Sequence, residues 1–170
     1  MTEVDYRIVT GRRQADIKSL AAVSVLDNGN PETLADVVDY FRTELEGLDP
    51  EQRFLVAAFA GAELVGFCRF QVCPRLGLWW CRGLQVVPEW RRQGIGSSLL
   101  TAAISHLASS GETDIRSDAS SRNTASQATQ RKAGFRLVST EGEDFDGGWR
   151  EDHVFLQWRS GKGTDGDSRG

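Results

Sequence analysis

The residues of this chain whose types and spacing most clearly suggest chemistry lie in one short phrase, Val86-Val87-Pro88-Glu89-Trp90-Arg91-Arg92-Gln93-Gly94-Ile95-Gly96. It follows a β-rich segment and precedes an amphipathic helical one, a setting in which a glycine loop can hold phosphate. Gly94 and Gly96 lack Cβ atoms, so the backbone can take positive φ there and successive N–H groups can converge on one anion. The positive end of the following helix would add to the attraction, and Arg91 and Arg92 could fork onto phosphate oxygens. A structural turn with a solvated arginine pair produces the same letters. Two other anion sites do not fit. A P-loop needs lysine followed by serine or threonine after its second glycine, and Ile95-Gly96-Ser97 has no lysine; no first-strand G-x-G-x-x-G is present for a dinucleotide fold.

Other reactive side chains are sparse. Cys68, Cys73 and Cys81 are odd in number, show no C-x-x-C spacing and lie among apolar residues, so they read as reduced thiols in or near the core. With only His106 and His153 elsewhere, they do not make a metal site, and no metal is expected. Among the carboxylates, Asp118 is the candidate general base, placed where a short strand should end; a turn residue bonding its own backbone is the competing reading. Glu63 and Glu89 read as surface loop residues, and the acidic run Glu141-Gly142-Glu143-Asp144-Phe145-Asp146 as a solvated loop.

The elements that must position these groups follow from periodicity. Tyr6–Thr10 reads as a first strand, followed by a helix with Ile17, Leu20, Ala21 and Val25 near one face. A second helix has Asn30 as N-cap, Pro31 at its first position and Leu34, Val37, Val38, Phe41 and Leu45 on its apolar side, ending at Gly47. Phe54–Phe59 and Leu64–Val72 form a predicted hairpin around Ala60–Glu63, and a third strand runs Leu78–Val87 until Pro88 stops it. The helix after the glycine loop carries Leu99, Leu100, Ala103, Ile104 and Leu107. A short strand at Thr113–Ser117, a helix over Thr124–Ala133 capped by Asn123, and strands at Arg136–Ser139 and His153–Trp158 complete the chain. This order predicts an α/β fold with a single mixed, mostly antiparallel sheet and helices on both faces. Trp79 and Trp80 read as core or dimer contacts, which leaves a homodimer open.

Two phrases together carry a family resemblance. The glycine loop resembles the acetyl-CoA signature of the GNAT superfamily, Q/R-x-x-G-x-G/A, with Arg91, Gly94 and Gly96 at its fixed positions. Asn123 followed by Lys132-Ala133-Gly134-Phe135 resembles the N…GF stretch that ends the next helix in those enzymes. The resemblance covers roughly residues 5 to 159 and is strongest from Leu84 to Phe135. It implies an N-acetyltransferase whose co-substrate is acetyl-CoA and whose acceptor is a primary amine. It also implies that the strand before the loop splays from its neighbour, that Leu84 and Val86 pair with the pantetheine arm, and that the Val86 N–H meets the developing oxyanion. The loop amides of Arg92, Gln93, Gly94, Ile95, Gly96 and Ser97 would then hold the pyrophosphate, and Asn123 would contact the coenzyme beside its capping role. Many relatives place a tyrosine four residues before the Gly-Phe pair as acid for the leaving sulfur. Gln130 stands there in this chain, and glutamine can donate a hydrogen bond but no proton.

Ser117-Asp118-Ala119, Asn123-Thr124, Ser126-Gln127 and Gly134-Phe135 also resemble a subset of aminoglycoside 6'-N-acetyltransferases, in which a histidine recurs where Gln130 falls. A non-catalytic acyl-CoA-binding module is a further alternative.

Composition bounds the rest. At 170 residues, with 39% hydrophobic and 26% charged residues, the chain suits one compact domain, taken as residues 1–159, with Ser160–Gly170 as a disordered tail. No apolar run approaches the ~20 residues of a membrane helix, and Met1–Asp5 lacks a signal-like basic and apolar start, so no membrane partner is expected and the cytoplasm is the expected compartment. A net charge of −4 argues against a nucleic-acid partner.

Overall fold

The structure, a computed structural model, describes residues 2–11, 16–28 and 34–161. In chain order its elements are β1 (Val4–Val9), α1 (Ile17–Asn28), α2 (Leu34–Glu46), β2 (Arg53–Ala60), β3 (Glu63–Cys73), β4 (Leu78–Val86), a 3₁₀ turn at Pro88–Trp90, α3 (Ile95–Ser109), β5 (Asp114–Ser120), α4 (Thr124–Lys132), β6 (Arg136–Ser139), β7 (Gly142–Glu143), β8 (Trp149–Arg150) and β9 (His153–Arg159). The cap expected at Asn30 and Pro31 falls outside the described residues, as does most of the expected tail.

Seven strands form one sheet in the order β1-β2-β3-β4-β5-β9-β6. Every pairing is antiparallel except β4 with β5, so the expected mixed, mostly antiparallel sheet is what the chain adopts. β2 and β3 are apolar on both faces because helices cover both. On one face α1 and α2 bury Leu20, Val37, Phe41 and Leu45 against Val9, Leu55, Ala57 and Phe67. On the other, Leu99, Leu100, Ala103 and Leu107 of α3 pack on Phe54, Val56, Cys68, Phe70 and Trp79. Alternation along β2 sends Leu55 and Ala57 to one helical layer and Phe54 and Val56 to the other.

The sheet's one parallel contact is short. β4 pairs with β5 only over Trp79–Cys81 against Ile115–Ser117, although both strands continue. Two features pull them apart. Between Cys81 and Gly83 the β3–β4 register shifts, leaving Arg82 as the extra residue of a bulge, and a bulge bends its strand. β5 beyond Ser117 instead follows β9, with Asp118, Ala119 and Ser120 opposite Phe155, Val154 and His153. The result is a wedge-shaped gap with Cys81 and Ser117 at its apex.

Several expectations shift. β5 extends to Ser120, so Asp118 is a strand residue held in the ladder and not a turn residue. Leu34, expected on the apolar side of α2, is 52% exposed at the start of that helix. The acidic run 141–146 is not simply solvated. It enters the small β7–β8 hairpin, whose Phe145 is buried with Cys73, Trp80 and Phe155, while Arg82 lies 3.9 Å over the Phe145 ring. Carboxylates at Glu141, Glu143, Asp144 and Asp146 masked its apolar anchor. Trp79 and Trp80 are both buried within the chain, which removes them as dimer contacts.

Candidate active-site cleft

The cleft begins where β4 loses its neighbour. The Val87 N–H donates to the Val65 carbonyl on β3 at 2.9 Å. Backbone groups alternate sides along a strand, so Val86 and Leu84 present theirs to the opposite edge, toward the gap. The Val86 carbonyl on that edge accepts from Arg91 Nε at 3.1 Å.

Pro88 ends the strand, and the 3₁₀ turn closes through Trp90 N–H to Val87 O at 2.9 Å. The chain then passes through two left-handed residues, Arg92 with φ 60° and Gly94 with φ 81°. For arginine this conformation costs about 1–2 kcal/mol, and such outliers concentrate where a backbone shape is needed for binding. Left-handed residues set among residues of negative φ turn successive N–H groups inward as an anion-binding concavity. Gly94 caps α3 without a side-chain hydrogen bond, so the first amides of α3 are not satisfied by a cap and face the loop's concave side.

The opposite wall is α4. Asn123 accepts from Ser126 N–H at 3.0 Å as a true N-cap, and Gln127 Nε2 donates to the Ser120 and Ser121 carbonyls, both at 3.1 Å, tying α4 to the end of β5. At Gly96 the walls meet: a Cβ there would lie 3.0 Å from Thr129 Cγ2 and 3.6 Å from Leu84 Cδ2.

Between these walls lies a cleft of about 680 Å³. Of the residues expected to hold the coenzyme, Leu84, Val86, Arg91, Arg92, Gly94, Ile95, Gly96, Ser97 and Asn123 line it together. Gln93 does not; its Nε2 donates to the Glu89 carbonyl at 3.2 Å and its side chain is exposed. Trp90 lines the cleft too, and sequence reasoning missed the α4 positions Ala125, Ser126, Ala128, Thr129 and Lys132. Their signal was available, since Ala125, Thr129 and Lys132 recur at helical spacing two residues beyond Asn123.

The two residues expected to handle protons stand outside the lining. Gln130 is 3% exposed on the inner face of α4; its Nε2 donates to Ser126 Oγ at 3.2 Å, and its Oε1 has no hydrogen-bond partner. Asp118 lies on the sheet face opposite Ser117 and is held by two donors, Trp80 Nε1 at 2.8 Å and His153 Nδ1 at 2.7 Å. Arg150 Nη2 is 3.0 Å from His153 Nε2. Arginine can only donate, so Nε2 accepts and the proton on Nδ1 points at Asp118, a polar chain that was not foreseen. At the apex of the gap, burial pushes the Cys81 thiol up to about 11. Among the described residues no cluster of His, Cys, Asp and Glu could hold a metal ion, and no helix is long and apolar enough to cross a membrane.

The profile of the acetyltransferase (GNAT) family matches residues 20–135, more than half of the chain and the whole span of the cleft. The chain belongs to the acetyltransferase (GNAT) family. Solved GNAT-fold structures agree with it over nearly their full length. The ribosomal-protein-S18-alanine N-acetyltransferase of Escherichia coli superposes with a TM-score of 0.68 at 17% identity, covering 95% of this chain and 97% of that one. The PaiA N-acetyltransferase of Thermoplasma acidophilum, solved in complex with coenzyme A, gives 0.64 at 18%, covering 92% and 99%. An acetyltransferase of Thermus thermophilus gives 0.68 at 20%, covering 94% and 100%. At these identities the likeness is one of fold. A search of curated proteins gave no match.

Proposed function

We propose that this GNAT chain is an acetyl-CoA-dependent N-acetyltransferase that acts on a primary amine. The observation that carries the reading is the continuity of one cleft from the unpaired edge of β4 to the left-handed loop at the start of α3. A strand edge with free backbone groups suits an amide-rich arm, and a concave run of amides at a helix N-terminus suits a pyrophosphate. Coenzyme A has both parts in that order, and the resident side chains leave the space for it.

Acetyl-CoA supplies the acetyl thioester that the acceptor amine attacks. The chain's own contribution is mainly positioning and electrostatics. The Val86 N–H, directed into the gap, is the donor for negative charge developing on the thioester oxygen, a kind of contact worth about 10²–10³ in rate. Leu84 offers a second backbone group on the same edge. The amides of Arg92 to Ser97 with the α3 dipole hold the pyrophosphate, and Asn123 sets the start of the opposite wall. Among the described residues the lining holds no tyrosine, cysteine, histidine or carboxyl group to stand in for the tyrosine of many relatives, so water accepts the task of protonating the leaving thiolate, whose ordinary pKa of about 8.5 lets it depart largely unaided. We assign Asp118 and Gln130 to positioning, because the first already accepts two hydrogen bonds and the second is sealed beneath α4.

The test is thiol release from acetyl-CoA by the purified chain over aminoglycosides, polyamines, small amines and peptides, with coenzyme A affinity measured by calorimetry. Turnover with one amine class is the expected result and identifies the acceptor. Binding without turnover on any amine would replace the enzyme by a coenzyme-binding module, and absence of binding would overturn the reading of the cleft.

A further inference from the structure

We infer that Arg69 is a positioning residue for the reaction, an assignment that presupposes the acetyl transfer proposed above. Arg69 is not part of the cleft lining. From the opposite face of the sheet it ties the β4 bulge to α2, and so keeps Leu84 and Val86 turned toward the coenzyme.

The need for such a clamp is visible in the phase of β4. Trp79 and Cys81 turn their side chains to the α3 layer, and regular alternation would send Gly83 and Gln85 there next. Instead Leu84 and Val86 pack with that layer and line the cleft. The parity changes at the bulge, where two successive residues face the other side, Arg82 over the Phe145 ring and Gly83 against the Arg69 guanidinium. A one-residue slip that erased the bulge would exchange the two faces of the strand beyond it and turn Val86 away from the cleft. The oxyanion donor therefore depends on an extra residue whose carbonyl has left the ladder.

Arg69 meets that carbonyl. It stands on β3 opposite Gly83, at the register shift itself. Its Nη2 donates to the Arg82 carbonyl at 3.4 Å, and a Cβ on Gly83 would lie 3.5 Å from both Nε and Nη2, so the guanidinium spans the bulge. The other arm of the fork holds α2: Nη1 donates to the Tyr40 hydroxyl and lies 3.7 Å from the Glu44 carboxylate. One rigid plane thus serves a helix and a bulge at once. A lysine ammonium keeps the charge but is a single point that cannot reach both. The alternative task for Arg69, a plain α2–β3 ion pair, would affect stability alone. Glu44 also has Arg53 at 3.2 Å, so losing Arg69 strands no carboxylate and the variants are expected to fold.

Arg69→Lys and Arg69→Gln, compared with the wild-type chain, separate the two tasks. The measurements are steady-state transfer from acetyl-CoA to the best acceptor of the amine panel, coenzyme A affinity by calorimetry, and backbone amide exchange in β4 against β2. Both variants should lose about 10- to 100-fold in kcat with KM for acetyl-CoA and coenzyme A affinity within about threefold, since a misplacement of about 1 Å at the reacting centre suffices for such a loss. Amides from Gly83 to Val87 should exchange about tenfold faster while those of β2 keep their protection. In Arg69→Ala, added methylguanidinium should raise kcat severalfold and methylammonium should not. Wild-type kcat in Arg69→Lys, a loss carried by KM, or either the kcat change or the exchange change without the other overturns the assignment and leaves the proposed function intact. A wild-type chain that binds coenzyme A and transfers to no amine overturns both.

Discussion

Thr129 on α4 and Gly96 on α3 meet so closely that a Cβ at position 96 would stand 3.0 Å from the threonine methyl carbon. Two helices that form opposite walls of a cleft are here in backbone-to-side-chain contact, and the spacing of the walls is set by the absence of one carbon atom. Gly96→Ala should therefore push α4 outward by a few tenths of an ångström and weaken coenzyme A about tenfold, since overpacking costs typically 1–3 kcal/mol. Thr129→Ser removes the methyl and keeps the hydroxyl that donates to the Ala125 carbonyl at 2.9 Å. The double variant should recover most of the affinity. Failure of Thr129→Ser to rescue Gly96→Ala in calorimetry would show that wall spacing is not the cause.

Gly94 tests the loop by conformation and by charge separately. Its φ of 81° is open to asparagine at small cost and to alanine at about 1–2 kcal/mol, while no side chain blocks a Cβ there. Coenzyme A binding should be nearly kept in Gly94→Asn, reduced in Gly94→Ala and lost in Gly94→Glu, which brings a carboxylate to the amides that face the anion. An unchanged dissociation constant in Gly94→Glu would remove the loop from the binding site.

The thiols bear on any assay that reads coenzyme A release. Burial pushes the Cys81 thiol up to about 11 and raises Cys68 well above the usual thiol range, and Cys73 is buried as well. An aromatic disulfide reagent at pH 8 should react with none of the three in the folded chain and with all of them in guanidinium. In the unfolded chain Cys68 and Cys81 ionise near their ordinary value and in the folded chain they hold their protons longer. Stability is thus fully present below about pH 9 and falls as pH climbs through about 11. Urea midpoints at pH 8 and pH 10.5 should show that fall, and a fast-reacting thiol in the native chain would contradict the packing at the apex of the gap.

Much of this arrangement was legible in residue order. The β-rich runs that build β2 and β3, the Pro88 stop, the glycine pair and the Asn123 cap are local signals, and each lies where its chemistry placed it. What could not be read depends on partners distant in sequence. β5 extends past Ser117 because β9, more than thirty residues later, pairs with it, and that pairing turned Asp118 from a turn residue into a strand residue. The β7–β8 hairpin is held by one buried phenylalanine inside an acidic run, a pattern that hydropathy averages away. Lys132 escaped notice because a lysine in the last turn of a helix has an ordinary electrostatic explanation.

Gln130 occupies the position of a tyrosine in many relatives, yet its amide is turned into the protein with Oε1 unpaired. A buried polar atom without a partner costs about 1–3 kcal/mol, and methionine has nearly the same length without that atom. Gln130→Met, which also gives up the bond to Ser126 Oγ, should leave stability unchanged or raise it by about 1 kcal/mol, with turnover retained within a few fold. A large drop in kcat with an intact fold would mean that the amide meets the leaving sulfur after all.

Asp118 offers the sharpest separation between a base and a positioning residue. Both of its oxygens are spoken for, Oδ1 by Trp80 Nε1 and Oδ2 by His153 Nδ1, and the tautomer of His153 is fixed by Arg150 on its other nitrogen. Asparagine keeps the shape and presents one acceptor and one donor, so whichever way its amide turns, an N–H is set against Trp80 or His153. Leaving such a pair unmade in a site that is largely closed should cost about 1–3 kcal/mol in urea unfolding. Asp118→Asn should therefore lose stability while kcat at saturating acceptor stays within about tenfold and the pH profile keeps its shape. A general base predicts the reverse, an unchanged unfolding midpoint with kcat reduced about 10²–10⁴-fold and the acid limb of the profile gone. Because the two outcomes move different observables, one variant measured both ways decides whether the amine loses its proton to this carboxylate or to solvent.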